Sequence, residues 1–77
     1  VKTEYRYIGF DDISPKARRT RLYLCKNRRH NAALGIVQWN APWRQYVFEP
    51  NECCIFSADC LADIQDFIGQ LMAERKS

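Results

Sequence analysis

Hydrophobic and polar positions change their period once along the chain. Up to about residue 50 they alternate in short runs, and after residue 57 they recur at steps of three and four. Alternation sends successive side chains to opposite faces of a strand, whereas three- and four-residue steps line one face of a helix. The alternating part predicts strands over residues 4–10, 20–26, 33–39 and 44–49, with a short extended stretch at 53–56. Asp11-Asp12 and Ser14-Pro15 break the first run, and Pro15 disfavours helix at Ser14. In the second run, Leu22 and Leu24 share one face, and Arg21, Tyr23 and Cys25 share the other.

The turn Asn40-Ala41-Pro42-Trp43 suits a four-residue hairpin loop. That loop would pair Trp39 with Arg44, Val37 with Tyr46 and Gly35 with Phe48, all on one face. A large ring opposite a strand glycine covers the bare backbone there. Ser57 is a good N-cap for a helix over residues 58–75. Asp59, Asp63 and Asp66 load its first half and Arg75 and Lys76 its end, an order that suits the helix macrodipole. Leu61, Ile64, Ile68, Leu71 and Met72, with Phe67 beside them, form an apolar stripe that reads as core. The predicted fold class is α+β: an antiparallel four-stranded sheet, five-stranded if residues 53–56 add an edge, covered on one face by a single C-terminal helix.

With 77 residues, this pattern is expected to make one domain, leaving little room for a deep cavity beside a full core. No apolar run approaches the roughly 18 residues that span a bilayer, and the N-terminus has no signal-like apolar region. The expected setting is the cytoplasm, the host's if the gene is a phage's. The chain starts at Val1 instead of Met, which fits loss of an initiator or short leader. Cys25, Cys53, Cys54 and Cys60 then read as reduced, small hydrophobic residues. Their spacings with His30, C-x4-H and C-C-x5-C, fit no usual zinc pattern, so neither metal nor cofactor is expected.

Charge is strongly segregated. Between Asp12 and Glu49 there is no acidic residue, while Lys16, Arg18, Arg19, Arg21, Lys26, Arg28, Arg29 and Arg44 lie in that stretch. Such asymmetry speaks to partners and not to fold. No catalytic pattern accompanies it. The lone His30 sits in a basic loop, the helix aspartates read as a solvated face, and the three glycines are isolated. The expectation is a protein that is not an enzyme.

Gly35-Ile36-Val37-Gln38-Trp39, Trp43-Arg44-Gln45-Tyr46-Val47-Phe48-Glu49-Pro50 and Phe56-Ser57-Ala58-Asp59-Cys60-Leu61 resemble the pattern of an uncharacterised family of small bacterial and bacteriophage proteins. Its pattern is roughly G-x-I-x-W, W-R-x-Y-x-F-x-P and F-S-x-x-C-L before a terminal helix. The resemblance covers about residues 33–72 and implies a phage or mobile-element setting but no activity. At the level of architecture alone, four strands and a helix are also similar to the transcriptional-coactivator fold, which binds single-stranded DNA as a dimer.

Binding is therefore the expected role. Arginines that track phosphates and rings that stack on bases are the means by which single-strand binders work. The candidate residues are Arg18, Arg19, Arg21, Arg28, Arg29, Trp43, Arg44 and Tyr46. Arg18, Arg19, Arg28 and Arg29 are expected to be exposed. Whether the face carrying Trp39 and Tyr46 lies under the helix or open to a ligand is left undecided by the sequence. The partner is single-stranded nucleic acid or, alternatively, an acidic surface on a host-defence protein or host nucleic-acid enzyme that a phage protein would inhibit. A homodimer is compatible with either.

Overall fold

The computed structural model describes residues 1–76. Four strands, β1 (Ile8–Asp12), β2 (Leu22–Asn27), β3 (Ala33–Asn40) and β4 (Gln45–Pro50), are followed by one helix, α1 (Ala58–Lys76). The strands form a single antiparallel sheet in chain order. The expected α+β class, a four-stranded sheet with one C-terminal helix, is what the chain adopts.

The first strand starts later than its composition predicts. Instead of one run over residues 4–10, the chain doubles back: Tyr5 N donates to Ile8 O at 2.9 Å and Phe10 N donates to Thr3 O at 2.8 Å. Only an isolated bridge, Glu4 to Gly9, remains of the early part. Asp11 and Asp12, expected to break the strand, complete it. Cations from β2 and the residue before it offset their poor strand propensity: Lys26 Nζ lies 2.8 Å from Asp11, and Arg21 pairs with Asp12. Residues 53–56 add no strand. Cys53 there has φ 63°, in the left-handed region, which interrupts an extended chain.

The β3–β4 register is Asn40 with Gln45, Trp39 with Tyr46, Val37 with Phe48 and Gly35 with Pro50. The expected pairing was off by two residues. The loop is Ala41–Arg44, one residue later than predicted, and Arg44 belongs to it with φ 55°. Because side chains alternate with period two, a slip of two leaves the faces unchanged. Gly35, Val37, Trp39, Tyr46 and Phe48 do share one face.

That face is the inner one. Ile8, Phe10, Tyr23, Cys25, Val37 and Tyr46 are buried beneath Ile64, Phe67 and Leu71 of the helix, with Trp39 and Phe48 partly buried beside them. Phe67 is stacked on Phe10, with ring centroids 3.9 Å apart and planes 5° off parallel, and meets Tyr23 edge-on at 4.8 Å. Ser57 caps the helix, its Oγ accepting from Cys60 N at 3.2 Å. Leu61 is not core: it is 52% exposed. At roughly 100° per residue, half-buried Cys60 takes the inward place in the first turn and turns Leu61 aside.

The outer face carries Leu22, Leu24, Ile36 and Val47, all half-buried, with Ile13 exposed next to Leu22. Among the described residues no helix is long and apolar enough to cross a membrane.

Candidate binding surface

Antiparallel strands and the returning helix sort the loops into two ends. Residues 13–21, loop 41–44 and the end of α1 meet at one end. Arg19, Arg21, Tyr46, Leu71, Glu74 and Arg75 line one shallow cleft there. The N-terminal residues, loop 28–32 and the start of α1 gather at the other, where Arg6 and Tyr7 border Asp59, Ala62 and Asp63.

The candidate residues divide between these ends. Trp43 stands at the first, 67% exposed and without a ring neighbour among the described residues. Its loop is well fixed: Trp43 N donates to Asn40 Oδ1 at 3.0 Å and Arg44 N donates to Ala41 O at 3.2 Å. The left-handed φ of Arg44 closes the loop, as the last residue of such a hairpin connection often must. Arg19 and Arg44 are exposed at this end, as is Lys16.

Arg21 is exposed but engaged by Asp12. Hydrogen bonds from Ser14, from its hydroxyl and then its amide, and from Arg21 hold the Asp12 carboxyl down at about 2. Asp12 therefore stays charged at any ordinary pH and offsets much of Arg21. Arg18 is half-buried, not exposed as expected, because its Nε donates to Thr20 Oγ1 at 3.2 Å.

Tyr46 must be withdrawn as a contact residue. It is only 6% exposed, its ring meets Trp39 edge-on at 5.3 Å, and its hydroxyl accepts from Arg21 N at 3.0 Å. The helix covers the aromatic sheet face, so no stacking platform is open there. Arg28 and Arg29 lie at the opposite end and cannot join Trp43 in one compact site. Arg28 serves the fold, with Nη1 donating to Tyr5 O at 2.6 Å and its amide to Tyr7 O at 3.0 Å.

Sequence reasoning missed Arg75. The helix brings its guanidinium 3.9 Å from the centre of the Trp39 ring, in cation–π contact, and so adds a positive charge to the Trp43 end. Its place in the last helical turn hinted at a cap for the macrodipole but not at which loop it would meet. Among the described residues, the acidic side chains at this end are Asp12 and Glu74. Among the described residues no cluster of three or more His, Cys, Asp or Glu could hold a metal ion.

Fold and surface together describe a small α+β protein with an exposed ring and, among the described residues, unpaired cations at one end. The chain belongs to the same family as an uncharacterised 9.3 kDa protein of Acholeplasma phage L2, to which it is 30% identical over 70 residues, 91% of this chain and 90% of that one. No family model matches the chain. No solved structure matches it either.

Proposed function

We propose that this phage-family protein is a non-enzymatic binding module that takes single-stranded nucleic acid at its Trp43 end. The observation that carries the reading is the Trp43 ring, 67% exposed on a hydrogen-bonded loop beside Arg44 and at the same end as Arg19 and Lys16. A ring on a protruding loop finds a base to stack on only where bases are unpaired, and one such stack is worth about 1–3 kcal/mol. Three cations without an ion pair among the described residues, Lys16, Arg19 and Arg44, then supply phosphate contacts. The contact is borne by the loop and not by the sheet, because the helix occupies the sheet face that carries Trp39 and Tyr46.

Titration of labelled single-stranded and duplex DNA across a salt series tests this. Three phosphate contacts predict a log–log slope of about −2 for the single strand and weaker duplex binding. Absence of single-strand binding at low salt rules the reading out.

An acidic surface on a host protein is the second reading, and inhibition of a host defence or host nucleic-acid enzyme would be its purpose. The same lone ring favours it, since exposed tryptophans flanked by arginine are the usual anchors of protein interfaces. Capture of a host protein that Trp43→Ala abolishes, with no oligonucleotide binding, would replace the first reading by this one.

A further inference from the structure

The opposite end holds a second basic and aromatic cluster, apart from the Trp43 end. A cleft of about 420 Å³ lies between the N-terminal turn and the β2–β3 loop, lined by Arg6, Tyr7, Asn27, Arg29 and His30. Among the described residues no carboxylate is in that lining. The volume falls within the roughly 300–1,000 Å³ of small-ligand sites.

Both walls are held in place. Asn27 Oδ1 accepts from Arg29 N at 2.8 Å and His30 N at 3.1 Å. Asn31 N donates to Asn27 O at 2.7 Å with φ 60°, and Asn27 N donates to Ala32 O at 2.8 Å. This closes the loop into a fixed turn that presents Arg29 and His30. Arg28 then ties the loop to the N-terminal turn through Tyr5 O and Tyr7 O. The cleft is thus formed before any ligand arrives, which lowers the cost of binding.

Asn27 is committed to the loop, whereas the side chains of Arg6 and Tyr7 engage only each other among the described residues. Among the described residues no hydrogen bond or ion pair engages the Arg29 guanidinium. Tyr7 is 45% exposed, with the Arg6 guanidinium 5.0 Å from its ring centre. On the other side of Arg6 and Tyr7 stand Asp59 and Asp63, so an anion is steered toward Arg29 and away from the helix.

We infer that this cleft binds a nucleoside monophosphate unit, with the phosphate between Arg29 and Arg6 near His30 and the base against Tyr7. The unit is either a free nucleotide or the 5′-phosphate end of a strand. This goes beyond the proposed role of the Trp43 end and does not depend on it.

Amide-resolved NMR titration of the whole chain tests the site, with AMP and short DNA carrying 5′-phosphate or 5′-hydroxyl as probes. Saturable AMP shifts are expected at Arg6, Tyr7, Asn27, Arg29 and His30, unchanged in Trp43→Ala and lost in Arg29→Glu. Tyr7→Leu should weaken AMP by at least about 5-fold, the low end for one base stack. Shifts at the same amides with 5′-phosphate DNA but not with 5′-hydroxyl DNA identify the strand end as the source. AMP binding without any such DNA effect identifies the free nucleotide. No saturable AMP shift at millimolar concentration, or full AMP binding by a folded Arg29→Glu variant, overturns the inference. Loss of oligonucleotide binding in Trp43→Ala leaves it standing.

Discussion

The ring of Phe48 closes over the backbone of Gly35. An ideal Cβ on Gly35 would sit 2.7 Å from Phe48 Cζ and 2.5 Å from the carbonyl oxygen of Glu49. The two residues are diagonal, since Gly35 pairs with Pro50 and Val37 with Phe48. Diagonal neighbours on a sheet are within reach of an aromatic side chain.

Gly35→Ala is therefore expected to destabilise the fold by about 1–3 kcal/mol, the usual cost of overpacking. A glycine that tolerates alanine would instead stabilise it by about 0.4–1 kcal/mol through the unfolded chain. The sign decides between them. In urea the midpoint should fall with an unchanged slope.

Tyr5 fastens the N-terminus to the helix. Its hydroxyl donates to Asp66 Oδ2 at 2.7 Å and accepts from Gln70 Nε2 at 2.9 Å, while Lys2 N donates to Gln70 Oε1 at 2.8 Å. Burial, then the hydrogen bond to the Asp66 carboxylate and its charge, push the phenol well above the ordinary tyrosine range. Burial shifts Tyr23 in the same direction. A folded-state pKa above the unfolded one contributes stability that is complete below the unfolded value and is lost as pH rises beyond it. Unfolding free energy should accordingly fall as pH climbs past about 10. Tyr5→Phe should cost about 1 kcal/mol at neutral pH and make that alkaline fall shallower. An identical alkaline fall in the variant would refute the assignment.

Cys25 is fully buried, and burial, with Cys60 and Cys54 nearby, pushes its thiol up to about 12. The thiolate is the reactive form. Native protein treated with iodoacetamide at mildly alkaline pH should carry label on exposed Cys53 and none on Cys25, as read by peptide mass spectrometry. Labelling of Cys25 before unfolding would contradict the buried placement.

Much of this fold was legible because the period of the hydrophobic pattern is a local property. The change from alternation to helical steps located the helix, and Ser57 marked its start. That Gly35, Val37, Trp39, Tyr46 and Phe48 share a face was also legible, since an error of two in register preserves faces, but not that the helix covers it. The reversal before Ile8 was not. A run of aromatic strand formers looks the same whether it lies straight or doubles back. Asp11 and Asp12 misled for a related reason: their partners Lys26 and Arg21 are distant in sequence. The candidate site was half legible. One acid-free stretch held most of its cations, but strand direction sent Arg28 and Arg29 to one end and Arg19 and Arg44 to the other. Tyr46 looked available only while the face the helix covers was undecided.

Whether Trp43 holds a base is read from the affinity of a labelled single-stranded oligonucleotide for wild type and Trp43→Ala, by fluorescence anisotropy at low salt. Trp43 is exposed, so circular dichroism and the urea midpoint should be unaltered in the variant. Loss of one base stack predicts a weakening of about 5- to 150-fold, equivalent to about 1–3 kcal/mol. Equal affinities for the two proteins would rule out base stacking on Trp43.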